Sequence, residues 1–308
     1  MELSNDLKFK NETWKPKVLV THTMLPEAGL QYLRQKCELS FAKSRERGDI
    51  LKKVKGVDGL LWGSLEKLDA EVLDAAGPQL KAISTKSVGL NHIDVAEIKR
   101  RNILLGYTPI LPSEPTGELA IGLALSAGRR FHEGRLLIEK NQWEDQPQTF
   151  LGVEIRDSVI GIVGFGKIGQ AIARDIRGFT PTEIIYSGNS EKPEAEKLDA
   201  NFVSFDELIE RSDFVFIVCP LTSETHKMFN AKVFDKMKPT SVLVNIARGG
   251  IVDQEALYDA LKNNKIFAAG LDVMTPEPLP TDHPLMSLPN CGIKKINRNL
   301  EILLIFTI

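Results

Sequence analysis

Three glycines with the spacing G-x-G-x-x-G restrict the fold of this chain more than any other feature. They are Gly164, Gly166 and Gly169 in the run VGFGKIG, which follows an apolar segment rich in β-branched residues. In a strand–turn–helix unit, the first glycine permits the tight turn, the second lets the backbone approach a pyrophosphate, and the third lets the helix pack closely on the strand. The first helical residues, here Lys167 and Ile168, offer backbone N–H groups to phosphate oxygens. We therefore predict a dinucleotide-binding turn, with a plain glycine turn as the alternative.

Short β-branched runs alternate with helical patterns on both sides of this turn. The predicted strands before it are KVLVTH, GLLWG, LKAIST and NILLG, and those from it onward are DSVIGIVGF, EIIYSG, DFVFIVCP, SVLVNIA and FAAGLDV. Strands that alternate with helices indicate parallel sheets covered by helices. The prediction is an α/β protein with two Rossmann-like domains, each built on a parallel sheet.

A proline-rich stretch at 106–117, GYTPILPSEPTG, predicts a loop or hinge between the two halves, because proline fixes φ and cannot donate a backbone hydrogen bond. A long helix is predicted at 117–143. Its first half is apolar almost all round, which favours burial in the core or against a partner subunit. The predicted division is a disordered extension at 1–16, a first domain at 17–109, a dinucleotide-binding domain at 110–296 and a divergent tail at 297–308.

The composition argues against several classes of protein. A chain of 308 residues, 43% hydrophobic and 26% charged, is long enough for two domains with cores of their own. Its net charge of −2 provides no general attraction for nucleic acid or an anionic membrane. Cys37, Cys219 and Cys291 have neither metal-binding nor disulfide spacing, which favours a reducing compartment. The apolar carboxyl end is shorter than the roughly 20 residues of a membrane span. We expect a cytoplasmic protein without a metal site.

The segment after the second strand of the dinucleotide-binding domain favours NADPH over NADH. A site for NAD usually has an acidic residue about 20 residues past the glycines, where it holds the ribose 2′-hydroxyl. No acid occurs at 187–190. Ser187, Asn189 and Ser190 could instead donate hydrogen bonds to a 2′-phosphate, to which Lys192 would add positive charge. An arginine, the more usual partner of this phosphate, is missing, so NADH and a plain turn stay as alternatives.

Four long segments resemble the D-2-hydroxyacid dehydrogenase family, namely STKSVGLNHIDV, VGFGKIGQAIA, NIARGGIVDQEALYDAL and AAGLDVMTPEPLPTDHPL. GYTPILPSEPTGELAIGLALSAGRR is most similar to its eukaryotic glyoxylate reductase/hydroxypyruvate reductase branch. The resemblance extends from about Lys17 to Cys291. It implies a first domain that binds substrate, a homodimer, and NAD(P)H-dependent reduction of small 2-oxoacids such as glyoxylate and hydroxypyruvate to D-2-hydroxyacids.

The resemblance also implies roles for individual residues. Arg248 matches the family arginine that binds the substrate carboxylate and polarises the ketone, and Glu277 matches the glutamate that pairs with a catalytic histidine. Other matching positions are Val88 and Gly89, whose backbone would bind the substrate carboxylate, Asp272, which would lie near the nicotinamide amide, and Pro220 and Ile246, which would flank the cofactor.

The catalytic histidine of the family has no counterpart in this chain. Where the family has an apolar strand followed by Pro-His-x-Gly-Ser, the sequence reads GIKKINRN, and Ile296 occupies the histidine position. His283 is the nearest of five histidines, but the run DHP around it matches a family turn. The divergent end resembles an alternative or mis-spliced terminus. We expect dinucleotide binding with impaired reduction. The alternatives are a catalytically inactive dinucleotide-binding scaffold, of which the C-terminal-binding-protein corepressors are the family's example, and a truncated isoform.

Overall fold

The structure, a computed structural model, describes residues 14–21, 25–63, 66–87, 89–90, 92–108, 113–142 and 150–293. Contacts between Cα atoms divide these residues into two units, one that runs to Thr108 and one that begins at Ser113. The boundary predicted between residues 109 and 110 lies outside the described residues, as does the tail at 297–308. No described helix is long and apolar enough to cross a membrane.

The first unit is a five-stranded sheet with helices between the strands. Its elements are β1 (Lys17–Val20), α1 (Glu27–Lys36), β2 (Glu38–Phe41), α2 (Arg47–Lys53), β3 (Gly59–Trp62), α3 (Ala70–Ala76), β4 (Ala82–Thr85), α4 (Val95–Arg100) and β5 (Leu104–Gly106). The strand order is β2-β1-β3-β4-β5, and all pairs are parallel. This is the flavodoxin-like order of a doubly wound sheet. The Pro16 carbonyl, directly before β1, accepts the Glu38 N–H at 2.9 Å and so extends the pairing with β2.

The second unit is a seven-stranded parallel sheet. Its elements are α5 (Ser113–Gly128), α6 (Phe131–Glu139), β6 (Val159–Val163), α7 (Lys167–Ile176), β7 (Glu183–Ser187), α8 (Glu194–Lys197), β8 (Ala200–Phe202), α9 (Phe205–Arg211), β9 (Phe214–Ile217), α10 (Ala231–Phe234), β10 (Val242–Asn245), α11 (Gln254–Lys262), β11 (Ala268–Leu271) and β12 (Cys291–Ile293). The order β8-β7-β6-β9-β10-β11-β12 is the Rossmann order with one further edge strand. Both sheets confirm the predicted α/β fold class.

Both faces of the seven-stranded sheet are buried, which explains why its strands are continuous apolar runs. Phe214 and Phe216 of β9 pack in one apolar core with Ala120 of α5. Val215, the residue between them, packs on the opposite face with Leu257 of α11. The strand order reverses between β6 and β9. Ligands of open α/β sheets bind beyond the carboxyl ends of the strands at such a point.

The single long helix predicted at 117–143 is wrong, because the structure has two helices there. Arg130 lies between α5 and α6 with φ of 57°, a left-handed conformation that ends α5. The helix α5 also begins inside the predicted proline-rich loop, with Pro115 in the first turn, where proline is tolerated. Packing within its own unit buries α5: Gly117 lies against Ala171 of α7. Its apolar circumference therefore needs no second copy of the chain.

Candidate dinucleotide and 2-oxoacid site

Five neighbouring strands of the second unit carry predicted site residues at their carboxyl ends. In spatial order, β7, β6, β9, β10 and β11 end in or are followed by Ser187, Gly164, Pro220, Ile246 and Asp272. Parallel strands end at one edge of a sheet, so these residues lie along a single edge that includes the β6–β9 reversal. The sequence could place them on strands, but it could not give the order of the strands.

The first glycine of the motif makes the turn after β6. Gly164 has φ of 100°, which is strained for any residue with a Cβ atom. Its N–H donates to the Ser187 carbonyl at 2.8 Å, which ties the turn to the end of β7. A Cβ atom at this position would lie 2.8 Å from the backbone nitrogen of Cys219. Burial in this crowded place raises the pKa of the Cys219 thiol to about 11.

The other two glycines have contrasting surroundings. Gly166 precedes the ten-residue helix α7, and a Cβ atom added to it would meet nothing within 4 Å. A Cβ atom at Gly169 would overlap the carbonyl oxygen of Gly164, so helix and turn touch there. The open space at Gly166 faces the helix amino end, together with exposed Lys167 and half-exposed Ile168. This arrangement fits a pyrophosphate, because the first turn of a helix has N–H groups without partners inside the helix.

The predicted 2′-phosphate residues lie beside this turn. Ser187 is 5% exposed, whereas Asn189 and Ser190 are exposed. The Lys192 ammonium donates to Ser190 Oγ at 3.1 Å, and the Lys192 backbone N–H donates to Tyr186 Oη at 2.8 Å. The structure thus joins Ser190 to Lys192 and adds Tyr186, which the sequence analysis missed; a shared role of Ser187 and Asn189 in binding a phosphate stays a prediction. The hydrogen bond from the Lys192 N–H to Tyr186 joins residues six positions apart, and no local sequence pattern predicts it.

Arg248 follows β10 in a turn that Asn245 organises. Asn245 is 1% exposed. Its Nδ2 donates to the Arg248 carbonyl at 3.0 Å, and its Oδ1 accepts the Ala247 N–H at 3.0 Å. The half-buried Arg248 side chain donates from Nη1 to the Ala247 carbonyl at 2.7 Å. Ile246 is buried, and its N–H points to the Ile217 carbonyl of β9 at 3.4 Å.

The loop with Glu277 follows β11 and packs against the Arg248 turn. A Cβ atom at Gly249 would overlap the Met274 carbonyl group, so the two backbones are in contact. The exposed Glu277 accepts the Met274 N–H at 3.3 Å. Gln254 of α11, also missed from sequence, holds the loop through two hydrogen bonds to the backbone of Thr275, of 2.6 and 2.5 Å. Two predicted site residues are therefore carried by loops that touch.

Asp272 and Pro220 lie on the neighbouring turns of the same edge. The Asp272 N–H donates to the Asn245 carbonyl at 3.0 Å, which continues the pairing of β10 with β11 beyond the strands. Pro220 is exposed, and its carbonyl accepts the Thr225 hydroxyl at 2.7 Å. Asp272 is half-buried at this edge, in contrast to Pro220.

The loop with Gly89 belongs to the first unit and follows β4. Ser87 donates to the Gly89 carbonyl at 2.9 Å, and its hydroxyl lies 3.0 Å from that of Thr85. Burial lowers the pKa of the Lys86 ammonium, and the positive charge of Arg45 lowers it further. Val88 lies outside the described residues.

His283 has a structural contact in this fold. Its Nδ1 accepts the Leu285 N–H at 3.2 Å and so caps a short helical turn at Pro284–Ser287. This agrees with the interpretation of DHP as a turn. Ile296 lies outside the described residues.

Comparisons with known proteins agree on one family. The family described as D-isomer specific 2-hydroxyacid dehydrogenase, NAD binding domain, matches residues 121–294. A human glyoxylate reductase/hydroxypyruvate reductase is 45% identical over 254 residues, which are 82% of this chain and 76% of that protein. The mouse protein of the same name is 42% identical over 284 residues, 90% of this chain and 86% of that protein. The crystal structure of a glyoxylate reductase from Paecilomyes thermophila has a TM-score of 0.81 at 28% identity and covers 91% of this chain and 88% of that one.

Proposed function

The chain belongs to the D-isomer specific 2-hydroxyacid dehydrogenase family of oxidoreductases, and we propose from that premise that it binds NADPH and acts on glyoxylate and hydroxypyruvate. The matched domain of the family indicates a nicotinamide dinucleotide as cofactor. The preference for NADPH and the two substrates are the proposal. Two further inferences accompany it: a homodimer, supported by the exposed apolar residues of α6, and a cytoplasmic location, supported by three free cysteines.

The open space at Gly166, at the amino end of α7, supports the proposed position of the cofactor. The pyrophosphate would lie on the amino end of α7, and the adenosine ribose would lie toward Ser187 and Lys192. The reduced nicotinamide supplies a hydride to the carbonyl carbon of the substrate. Pro220, Ile246 and Asp272 would line the nicotinamide part of the site, because they follow the strands on the far side of the β6–β9 reversal.

The contact between the Arg248 and Glu277 loops is the observation that carries the proposed chemistry. A guanidinium matches a carboxylate in charge and geometry, so Arg248 would bind the substrate carboxylate and polarise the adjacent ketone. For Val88 and Gly89, the backbone role in substrate binding that the family resemblance implies stays a prediction. Asn245 fixes the turn after β10 and would hold the guanidinium at the strand end.

In our proposal, this chain performs one step poorly, namely the donation of a proton to the carbonyl oxygen of the substrate. In the family, the glutamate at the position of Glu277 pairs with a histidine and keeps it protonated, but this sequence has Ile296 where the family has that histidine. Loss of a positioned general acid typically lowers a rate by roughly 10²–10⁴-fold. Binding and orientation by Arg248 are independent of that acid, so a residual rate is expected.

Steady-state oxidation of NADPH with glyoxylate and with hydroxypyruvate tests this proposal. We expect dinucleotide binding with turnover far below the ~10 s⁻¹ that is the median for enzymes. Replacement of residues 295–299 by Pro-His-Asn-Gly-Ser should raise turnover for both substrates. Arg248→Lys in that background should raise KM, because a lysine cannot bind a carboxylate through two parallel hydrogen bonds. The matched change Arg211→Lys, in a surface ion pair with Glu207, should alter neither constant.

Two results would contradict the proposal in different ways. If the parent chain turns over at ~10 s⁻¹, another group donates the proton and the role given to Ile296 is wrong. If the parent chain binds neither NADPH nor NADH, the proposed cofactor site itself is wrong.

A further inference from the structure

Tyr186 connects two parts of the dinucleotide site that are far apart in sequence. Its side chain is fully buried, and its backbone is held in β7 between Ile162 of β6 and Phe202 of β8. The ring stacks on Phe165 with centroids 4.0 Å apart and an interplanar angle of 24°. Phe165 lies between the first two glycines of the motif, so the ring supports the turn that would bind the pyrophosphate.

The hydroxyl of the same side chain reaches the other part of the site. Tyr186 Oη accepts the backbone N–H of Lys192 at 2.8 Å, and the Lys192 ammonium reaches Ser190 Oγ at 3.1 Å. The phenol is rigid and its backbone belongs to a central strand. The hydroxyl therefore fixes where residues 190–192 lie relative to the glycine turn.

We propose that the Tyr186 hydroxyl is a positioning group that makes the site selective for a dinucleotide with a 2′-phosphate, by holding Lys192 and Ser190 where that phosphate binds. This inference rests on the proposed binding of the dinucleotide at Gly166. NADPH and NADH differ only at the ribose 2′-position. Removal of a group that acts solely through residues 190–192 should therefore change the affinity for NADPH and leave the affinity for NADH unchanged. The ring, which supports the glycine turn, serves both cofactors equally.

Tyr186→Phe separates these two roles, because it keeps the ring and removes the hydroxyl. Dissociation constants for NADPH and NADH would be measured by calorimetry on the full chain without substrate. A typical net hydrogen bond corresponds to a change of about 2- to 12-fold in affinity, so we expect about fivefold weaker binding of NADPH. Binding of NADH should change less than about twofold. Tyr186→Leu, which removes the ring, should weaken both cofactors. Tyr258→Phe, the same chemical change on α11, should affect neither.

A double-mutant cycle with Lys192→Ala tests whether Tyr186 acts through the lysine. If it does, Tyr186→Phe should have little further effect on NADPH binding once Lys192 is alanine. Additive losses, or an equal loss of both cofactors in Tyr186→Phe, would overturn the inference and leave Tyr186 as a packing residue. An unchanged ratio of affinities in a Tyr186→Phe protein that melts like the parent would overturn it as well. A parent chain that prefers NADH would instead refute the proposed cofactor, which is a separate failure.

Discussion

Replacement of Gly166 by alanine should abolish most dinucleotide binding without unfolding the protein. The added methyl group meets no atom of the chain within 4 Å, and Gly166 has an ordinary φ of −76°. Two small terms of opposite sign act on stability. Alanine is a poorer N-cap than glycine, but it restricts the unfolded chain, a gain of about 0.4–1 kcal/mol. We expect the free energy of unfolding to stay within about 0.5 kcal/mol of the parent, as for most surface changes.

The methyl group would occupy the space that a pyrophosphate needs at the amino end of α7. A hydrogen bond to a charged group contributes about 1.5–3 kcal/mol, so the loss of one such bond weakens binding by about 10- to 100-fold. Calorimetric titration with NADPH gives the affinity, and urea denaturation gives the stability of the same sample. Both measurements are needed, because the prediction is that the affinity falls while the free energy of unfolding stays the same.

Two neighbouring substitutions calibrate this experiment. Gly178→Ala also places its Cβ atom in open space, but at the carboxyl end of α7, and it should change neither quantity. Gly164→Ala should lower the free energy of unfolding by at least about 2 kcal/mol, because it combines a left-handed φ with an overlap at Cys219. Parent-like affinity for NADPH in Gly166→Ala would refute the proposed position of the pyrophosphate.

Three further predictions concern cofactor choice, assembly and thiol reactivity. Ser187→Asp should reverse the preference from NADPH to NADH in a binding titration, since a carboxylate repels a 2′-phosphate and accepts from a 2′-hydroxyl; equal losses of both would contradict this. The side chains of Phe131 and Ile138 on α6 are 64% and 62% exposed. Replacement of both by glutamate should convert the proposed dimer to a folded monomer in a sedimentation experiment, and a persistent dimer would exclude α6 as its interface. The pKa of Cys219 is raised from 9.0 to about 11, so at pH 8 it has about a hundredfold less thiolate than an ordinary cysteine. Alkylation of Cys219, followed by mass spectrometry, should therefore be slow until urea unfolds the chain. Equal rates of alkylation in the folded and the unfolded chain would refute this.

Patterns within ten or so residues explain what could be predicted from sequence. The run VGFGKIG contains the strand end, the turn and the helix start, and each glycine has the surroundings that its position in the motif implies. The central strands are buried on both faces, so they are apolar runs that are easy to recognise. Two of the edge strands are different: β2 and β8 have few buried side chains, and neither was predicted. Their positions depend on pairing with β1 and β7, which no local pattern specifies.

Contacts between distant segments explain most of what was missed. The break between α5 and α6 depends on a single left-handed residue, Arg130, in a segment whose apolar periodicity continues on both sides. The two hydrogen bonds between Gln254 and Thr275 join residues 21 positions apart, and a surface glutamine on an amphipathic helix does not predict them. Sequence patterns thus located the strand-end residues, while the groups that hold those residues in place came only from the fold.

The position of α5 decides where this chain could be divided. In sequence the helix precedes the seven-stranded sheet and its glycine turn by a long interval, so it resembles a connector. In the fold Ala120 and Ala124 are completely buried on one face of that sheet, and Leu123 lies against Gly270 of β11. A fragment cut just before β6 would keep all strands of the seven-stranded sheet and all three motif glycines. It would, however, expose the apolar sheet face that α5 covers to water and would aggregate. A fragment that starts at Ser113 keeps that face covered, and it is therefore the piece from which an autonomous nucleotide-binding domain could be prepared.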